Sequence, residues 1–193
     1  MGATKKGKVI IFSAPSGCGK STIINALRQR NQFPFSFSIS ATTREPRGEE
    51  CHGVEYYFLT EQQFREHIER NDFVEYCEVY PGRFYGTLKS EIIDRNHRGE
   101  NIVLDVDVEG GINIKKIFGA EACSIFIMPP SVDELKRRLE GRGTDSPEKI
   151  ADRIKRAQYE LSLSGKFDHI VVNDVVEKAV EDCENIVLEF LQR

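Results

Sequence analysis

One stretch near the start of the chain has the residue types and spacing of a phosphate-binding loop. It directly follows the apolar run Val9 to Phe12 and directly precedes the helix-compatible stretch Thr22 to Arg30. Small residues in a turn point backbone N–H groups into one concavity, Lys20 adds a mobile cation, and Ser21 offers a hydroxyl to Mg²⁺ at a helix N-terminus. The pattern predicts a site for a nucleoside triphosphate, against the alternative of a chance Gly/Ser turn. The loop reads Ala14-Pro15-Ser16-Gly17-Cys18-Gly19-Lys20-Ser21.

The first position of this loop departs from the usual pattern, which opens with glycine, because this chain has Ala14 there. The backbone at Ala14 must therefore adopt dihedral angles that a Cβ tolerates. Since Gly17, Gly19, Lys20 and Ser21 all remain, the prediction of a phosphate site stands.

A second set of residues predicts a site for a single phosphate. Arg44 and Arg47 lie three residues apart in a turn-rich segment that follows a predicted buried strand. Two guanidinium groups can hold one phosphate with paired hydrogen bonds, and Tyr56 and Tyr85 could each donate a hydroxyl to the same anion. The alternative is a solvated charged loop, because charged turns are common on protein surfaces.

Glu75 and Asp107 are acids that stand beside apolar residues and could read a purine base. A carboxylate accepts from both N1–H and the exocyclic amine of guanine, whereas it meets acceptors on adenine. Ser40 and Thr87 could complete such a base site. For Glu75 the alternative is a strand residue that faces water.

Asp105 and Asp107 also mark the end of a buried strand, which is where parallel α/β sheets bind ligands. One acid there would hold Mg²⁺ or its waters, while the hydroxyl of the phosphate loop binds the ion directly. The alternative for either residue is an aspartate that caps the next turn.

Four arginines further along the chain form two pairs at helical spacing. Arg138 and Arg142 lie one turn apart, and Arg153 and Arg156 lie three residues apart on the next predicted helix. Cations on a mobile lid suit phosphoryl transfer, which depends on positioning and charge neutralisation. A salt-bridged helix surface is the alternative, and for Arg156 it is the preferred interpretation.

Alternating strands and helices must position these residues. Continuous apolar runs indicate strands of a parallel sheet that is buried on both faces, at Val9 to Phe12, Phe35 to Ile39, Ile102 to Val106, Ser124 to Met128, and Ile170 to Val172. Helical patterns cover Ser21 to Arg30, Leu88 to Arg98, Gly111 to Phe118, Val132 to Leu139, Pro147 to Leu163, and Val175 to Leu191. The fold class is therefore α/β.

The stretch Thr42 to Thr87 interrupts that alternation and is interpreted as an inserted lobe. It contains strand-like pieces at Val54 to Leu59 and Phe73 to Tyr76, separated by a helix that a Thr60-x-x-Gln63 capping box opens.

Composition sets broader limits. A chain of 193 residues can bury a sizeable core, and its five cysteines show no metal or disulfide spacing, which indicates a reducing compartment. The apolar run after the basic N-terminus is too short for a signal peptide or membrane span, so we expect a cytoplasmic protein with no membrane partner. The net charge of −4 argues against nucleic-acid binding. We expect a monomer or small homo-oligomer.

Over about Gly7 to Leu191, the sequence resembles the guanylate kinases. The matching segments are Ser38 to Arg47, Gly53 to Phe58, Tyr85-Gly86-Thr87, Leu104 to Asp107, and Pro129 to Gly143. The resemblance implies a P-loop NTPase fold at residues 7–188, with a five-stranded parallel core sheet at about 7–37, 94–130 and 164–193, a mixed α/β GMP-binding lobe at about 38–93, and a helical lid at about 131–163. It implies transfer of the ATP γ-phosphoryl group to GMP, and also to dGMP, with Mg²⁺ required.

The resemblance also implies roles for individual residues. Ser40, Glu75, Thr87 and Asp107 would lie near guanine. Arg44, Arg47, Tyr56 and Tyr85 would hold the GMP phosphate, with Glu50 bracing the arginines and with Gly86 and Asp105 in the same site. The γ-phosphoryl group would be surrounded by Lys20, Arg138, Arg142 and Arg153. Ser21 and Asp105 would serve Mg²⁺, Thr22 would extend the phosphate loop, and Asn173 and Asp174 would lie near adenine.

Two alternatives and one further departure accompany this interpretation. Scaffold-protein domains that resemble guanylate kinases bind phosphopeptides without catalysis, but they typically lack a working phosphate loop, and Gly19-Lys20-Ser21 is intact here. A kinase for another monophosphate is opposed by Ser40, Glu75 and Thr87. Relative to the family pattern there is one extra residue around Tyr80-Pro81-Gly82, which we expect to lengthen a turn.

Overall fold

The architecture is α/β, as predicted. A computed structural model describes residues 6–141 and 146–193. The strands in these residues are β1 (Val9–Ser13), β2 (Ser36–Phe37), β3 (Ser40–Thr42), β4 (Tyr56–Phe58), β5 (Phe73–Tyr80), β6 (Arg83–Leu88), β7 (Ile102–Asp105), β8 (Ala122–Met128) and β9 (His169–Val172). The helices are α1 (Lys20–Arg30), α2 (Glu61–Glu69), α3 (Lys89–His97), α4 (Val108–Phe118), α5 (Val132–Gly141), α6 (Pro147–Ser162) and α7 (Val176–Gln192).

A five-stranded parallel sheet has the strand order β2-β7-β1-β8-β9. Each of the five apolar runs of the sequence overlaps one of these strands, and every residue of β1 is buried, as expected for a strand that is covered on both faces. The same expectation is wrong for the edge strands, because β2 is half-buried and β9 exposes Ile170 and Val172. The strand β2 is shorter than its apolar run, with pairs only at Ser36↔Ile102 and Phe37↔Val103. The Ile39 amide donates to the Glu91 carboxylate at 3.2 Å and not to β7, so the pairing of β2 with β7 ends before Ile39.

A second sheet of four strands, in the order β4-β3-β6-β5, is built from the segment predicted as an insertion. The pair β3–β4 is parallel, whereas β3–β6 and β5–β6 are antiparallel. The capping box that opens α2 is confirmed, with Gln63 N donating to Thr60 Oγ1 at 3.1 Å and Thr60 N donating to Gln63 Oε1 at 2.9 Å. An aromatic core supports this sheet, formed by Phe64, Phe73 and Phe84 around Ala41.

The turn between β5 and β6 corrects one expectation. Pro81 and Gly82 form a two-residue connection, with Gly82 at φ 73°, so the turn is not lengthened. Instead, the β5–β6 register shifts between Glu78 and Tyr80, where β5 carries one additional residue. A β-bulge absorbs an extra residue by bending the strand while the tight turn is kept.

The chain divides into two compact units, one formed by Met1–Ile11 with Phe35–Ala122 and the other by Phe12–Pro34 with Cys123–Arg193. In the first unit, Val9, Ile11, Leu104 and Ile114 belong to one buried cluster. In the second unit, α1 packs on α7 and α5 packs on α6. The predicted lobe and lid boundaries are a functional division of the chain and stay a prediction.

Side-chain caps fix where several helices begin. Ser146 Oγ accepts from Lys149 N at the start of α6, so this helix begins at Pro147, where the sequence pattern predicts it. The helix α4 begins at Val108, three residues before its predicted start, because Asp107 Oδ1 caps it by accepting from Gly110 N at 3.0 Å. Within the described residues, no helix combines the length and apolarity needed to cross a bilayer.

Candidate active site

The phosphate loop lies in the second unit, between the end of β1 and the start of α1. Gly17 and Gly19 have φ angles of 96° and 86°, in the left-handed region that favours glycine. In the described chain, only Asn31 and Asn71 are non-glycine residues with positive φ. The backbone at Ala14 is therefore one that a Cβ tolerates, which confirms that part of the expectation.

Contacts with other elements of the same unit fix the shape of the loop. Asn173 Nδ2 donates to the Cys18 carbonyl at 2.8 Å in a buried position. A Cβ on Gly19 would collide with that same amide nitrogen, and a Cβ on Gly17 would lie 2.9 Å from methyl groups of Leu135 and Leu139. Glycine is thus required at both positions because neighbouring side chains leave no room for a Cβ and because φ is positive.

The loop leads directly into the N-terminus of α1. The N-cap residue is Gly19, which has no side chain to accept from the first-turn amides, so these amides are suited to bind an anion. Lys20 is half-buried, while Ser21 and Thr22 are exposed in the same turn. The sequence prediction of an anion site at a helix N-terminus fits this geometry.

Of the predicted lid arginines, Arg153 contacts the phosphate loop, and Arg138 contacts Asn173, whose side chain supports that loop. Arg153 Nη1 donates to Ser16 Oγ at 2.7 Å. Arg138 Nη2 donates to the Asn173 carbonyl at 3.0 Å, and Arg138 Nε donates to Glu134 Oε1 at 2.7 Å. Hydrogen bonds from Arg137 and Arg138 lower the pKa of Glu134 to about 2, so it remains an anion that orients Arg138.

The remaining arginines of the two predicted pairs are Arg156 and Arg142. Arg156 Nε forms an ion pair with Glu160 Oε1 at 2.8 Å within α6, which confirms the ion-paired helix of the preferred interpretation. The Glu160 side chain is buried and that of Arg156 is half-buried, so the pair does not lie on an exposed surface. Arg142 lies outside the described residues, so its role stays a prediction.

The predicted adenine-side residues are adjacent but differ in environment. Asn173 is 2% exposed, and its Oδ1 has no hydrogen-bond partner among the described residues. Asp174 is exposed. Because the Asn173 side chain is held against Cys18 and Gly19, it supports the phosphate loop, and contact with adenine stays a prediction.

The monophosphate residues lie in the first unit around Arg44. Its Nη1 and Nη2 donate to Glu50 Oε2 and Oε1 at 2.8 and 3.0 Å. Glu50 Oε2 also accepts from Arg47 N at 2.8 Å, so one carboxylate holds both arginine positions, as the family resemblance implies. Although burial opposes the charge of Arg44, its hydrogen bonds with Glu50 raise its pKa. The same hydrogen bonds lower the pKa of Glu50.

Aromatic rings surround this guanidinium. Arg44 Cζ lies 5.2 Å from the ring centroid of Tyr56 and 5.7 Å from that of Phe58. The rings of Tyr56 and Tyr85 meet edge to face at 6.2 Å. Burial, followed by the nearby Asp105 carboxylate, raises the pKa of the Tyr56 phenol, so its hydroxyl stays a donor. Arg44, Tyr56 and Tyr85 are therefore together, while the Arg47 side chain is exposed.

The predicted base-reading acids form a second cluster in the same unit. Thr87 Oγ1 donates to Glu75 Oε1 at 2.8 Å, and Glu75 Oε2 is buried with no hydrogen-bond partner among residues 6–141 and 146–193. A Cβ on Gly110 would lie 2.8 Å from Glu75 Oε2 and 3.3 Å from Asp107 Oδ2, so the two acids converge at this glycine. Burial, and then the charge of Asp107, raise the pKa of Glu75 to about 7.

Two further residues of the prediction lie on neighbouring strands. Ser40 is buried and pairs with Tyr56 in the β3–β4 register. Gly86 alternates with Tyr85 and Thr87 on β6 and so belongs to the opposite face, where a Cβ would lie 2.9 Å from the Phe73 ring. Aromatic packing explains this glycine, and contact of Gly86 with a ligand stays a prediction.

The sequence interpretation missed Cys77. Its Sγ donates to Asp107 Oδ2 at 3.0 Å, and burial, together with Asp107, raises the pKa of the thiol. A signal was available, because Cys77 follows Glu75 by two residues and therefore shares its face of the strand.

Comparisons with known proteins identify the family of the chain. A guanylate kinase family model matches residues 6–189. A guanylate kinase of Bacteroides fragilis is 56% identical over 188 residues, which are 97% of this chain and 92% of that protein. One from Bacteroides thetaiotaomicron is 54% identical over 187 residues, with coverage of 97% and 91%.

A solved structure is similar over nearly the same span. The crystal structure of guanylate kinase from Anaplasma phagocytophilum has a TM-score of 0.80 at 28% identity, covering 98% of this chain and 88% of that one. The shared span includes the phosphate loop, both predicted phosphate-binding arginines and the acids at Glu75 and Asp107. The chain therefore belongs to the guanylate kinase family.

Proposed function

We propose that this chain transfers the γ-phosphoryl group of ATP to GMP through the residues described above, with Mg²⁺ bound to the nucleotide. The curated relatives, which match nearly the whole chain, support guanylate kinase activity, with GMP as acceptor and ATP as donor. The role of each residue, the Mg²⁺ requirement and the acceptance of dGMP are the proposal. The observation that carries it is the buried Glu75 Oε2, which lies beside Asp107 and has no hydrogen-bond partner among the described residues.

Guanine presents two adjacent donors, N1–H and the exocyclic amine, and Glu75 together with Asp107 would accept them. Adenine has an acceptor at N1, so the same site would leave buried acceptors facing one another. Thr87 Oγ1 fixes the orientation of the Glu75 carboxylate through Oε1 and so leaves Oε2 toward the ligand. Since none of these contacts involves the 2′ position of the ribose, we expect dGMP to be accepted.

The GMP phosphate would bind at Arg44 and Arg47, with hydroxyl groups donated by Tyr56 and Tyr85. The support is that Arg44 is already held by Glu50 on one edge of its guanidinium and faces the Tyr56 ring. A guanidinium held in this way loses little side-chain entropy when an anion binds.

The triphosphate of ATP would bind the amides of the phosphate loop and the Lys20 ammonium. An oxygen of the GMP phosphate attacks the γ-phosphorus, the bond to the β,γ-bridging oxygen breaks, and ADP leaves with that electron pair. Lys20, Arg138 and Arg153 would neutralise charge on the group in transfer, as would Arg142 on the basis of the sequence alone. The contact of Arg153 with Ser16 of the phosphate loop, and that of Arg138 with Asn173, support this role.

The donor set fits Mg²⁺. The exposed Ser21 hydroxyl at the start of α1 and the Asp105 carboxylate at the end of β7 are both oxygen donors, which Mg²⁺ prefers. Ser21 would bind the ion directly and Asp105 through water. Mg²⁺ supplies charge neutralisation on the phosphate oxygens when it is bound.

The setting of the reaction is also part of the proposal. We expect a cytoplasmic monomer or small homo-oligomer that acts in purine nucleotide metabolism and does not bind nucleic acid or membranes. The five cysteines, all of which lie within the described residues, form no disulfide with one another, which fits a reducing compartment.

A coupled assay that measures ADP formation tests this function with GMP, dGMP, AMP and UMP, each with and without Mg²⁺. We expect turnover with GMP and dGMP, little with AMP or UMP, and none without the metal. Binding of a phosphoserine peptide without turnover of any nucleotide would favour a phosphopeptide-binding module instead.

A further inference from the structure

We propose that Cys77 is a positioning residue of the base site: its thiol holds the Asp107 carboxylate in the orientation that accepts guanine. The inference rests on the proposed function, because it takes Glu75, Thr87 and Asp107 as the base site. It adds a residue that the sequence interpretation did not include.

The register of the β5–β6 pair places Cys77 among the ligand-facing residues. Glu75 pairs with Thr87 and Cys77 pairs with Tyr85. Residues two apart on a strand share one face, so these four side chains belong to the same face of the hairpin. Three of them are assigned to GMP, and Cys77 is the fourth.

The contact of Cys77 supplies a donor to an oxygen that faces a second acid. Asp107 Oδ1 accepts from Gly110 N at 3.0 Å, and Asp107 Oδ2 accepts from Cys77 Sγ at 3.0 Å. Oδ2 is the oxygen that converges with Glu75 Oε2 at Gly110. The thiol hydrogen bond therefore stabilises this oxygen against the neighbouring carboxylate.

The two hydrogen bonds tie Asp107 to different elements. Gly110 N belongs to the first turn of α4, whereas Cys77 belongs to β5. Two hydrogen bonds to separate elements constrain the orientation of the carboxylate more than either bond does by itself. A thiol is also a weak acceptor, so it does not compete with the carboxylates for the donors of guanine.

Calorimetric titration with GMP, together with steady-state kinetics, tests the role in Cys77→Ala and Cys77→Ser. Cys77→Ala removes the donor, and we expect GMP affinity to fall about five- to tenfold, which is within the range for the loss of one hydrogen bond. The KM for GMP should rise by the same factor, with kcat and the KM for ATP within about twofold. Cys77→Ser keeps a donor and should recover most of the affinity.

The controls separate positioning from packing. Cys51→Ala removes an exposed thiol of the same unit and should leave GMP binding unchanged. Thermal unfolding of both Cys77 variants shows whether the fold is retained. If Cys77→Ser binds GMP as weakly as Cys77→Ala, or if both bind like the parent chain, the positioning role is wrong.

Glu75→Gln separates this inference from the proposed function. A parent chain that does not bind GMP, or a Glu75→Gln variant with unchanged GMP affinity, would overturn the base site and the role of Cys77 within it. A large loss in Glu75→Gln with no loss in Cys77→Ala would overturn the role of Cys77 alone.

Discussion

The Arg44 guanidinium and the Glu50 carboxylate form two parallel hydrogen bonds, Nη1 to Oε2 at 2.8 Å and Nη2 to Oε1 at 3.0 Å. The Arg44 side chain is only 7% exposed, whereas that of Glu50 is 24% exposed. An arginine this buried needs a fixed partner, because an uncompensated buried charge is strongly destabilising. Glu50 therefore maintains the position of Arg44 before any anion binds.

Substitution of Glu50 by Gln tests that relationship. The amide keeps the size of the side chain but replaces one acceptor by a donor that faces the guanidinium. We expect the free energy of unfolding to fall by about 1–3 kcal/mol and the KM for GMP to rise about tenfold. Denaturant unfolding and steady-state kinetics measure the two effects. Glu49→Gln, which changes an exposed neighbour, is the matched control, and equal effects in the two variants would contradict the role of Glu50.

Lys20→Ala tests whether the triphosphate and the monophosphate are bound by separate sets of residues. The ammonium is assigned to the triphosphate and the arginines to the monophosphate, so turnover should fall by at least about a thousandfold while GMP affinity stays within about threefold. Calorimetric titration of the variant with GMP provides the measurement. The control is Lys178→Ala on the exposed surface of α7. Parallel losses of GMP affinity and of rate would count against the assignment.

Local signals in the sequence predicted much of this structure. The Thr60-x-x-Gln63 box, the glycines of the phosphate loop and the five strands of the parallel sheet depend on residues that are close in the chain, and each is found as predicted. Burial on both faces is not found in every strand, because β9 exposes Ile170 and Val172. The strands β3 and β6 were missed for a physical reason. β3 has the sequence Ser-Ala-Thr, without an apolar run, and β6 contains Gly86, so both depend on cross-strand pairing and on the aromatic core around Phe64.

The site shows the same limit. The residue types and the family resemblance identified Arg44, Glu75 and Thr87, whose contacts the structure brings together. The cap that Asp107 forms on α4 is a local contact with Gly110, and it bears out the alternative that the sequence offered for this residue. Its contact with Cys77, in contrast, depends on the packing of α4 against β5. Sequence separation conceals such contacts, because Cys77 and Asp107 are 30 positions apart along the chain.

Gly19→Ala tests the close approach between the phosphate loop and Asn173. An alanine here would have to adopt φ 86°, which is strained for a residue with a Cβ, and its Cβ would collide with Asn173 Nδ2. Either the Asn173 hydrogen bond to Cys18 breaks or the loop shifts. We expect ATP affinity to fall at least about tenfold and the free energy of unfolding to fall by about 1–3 kcal/mol. Gly165→Ala, where a Cβ meets nothing within 4 Å, is the control. An unchanged KM for ATP in Gly19→Ala would show that the loop does not need this geometry.

The ionisation of Glu75 predicts a dependence of stability on pH. Burial, and then Asp107, raise the pKa of Glu75 to about 7 from an ordinary value of 4.5. Between these values the folded chain holds a proton that the unfolded chain has released. The contribution of Glu75 to stability is therefore fully present below about pH 4.5 and is lost as the pH rises through about 7.

Glu75→Gln removes this proton equilibrium, so the difference in the free energy of unfolding between the parent chain and the variant isolates it. From pH 5 to pH 8 we expect that difference to shift in favour of the variant by on the order of 2–3 kcal/mol. Urea unfolding at pH 5, 6, 7 and 8 measures it, with Glu69→Gln, at the exposed end of α2, as the control. Because guanine requires the ionised acid, GMP binding by the parent chain at pH 6 should also release a proton, detected by calorimetry in buffers of different ionisation enthalpy. A pH-independent difference in stability and no proton release would show that Glu75 is ionised throughout this range.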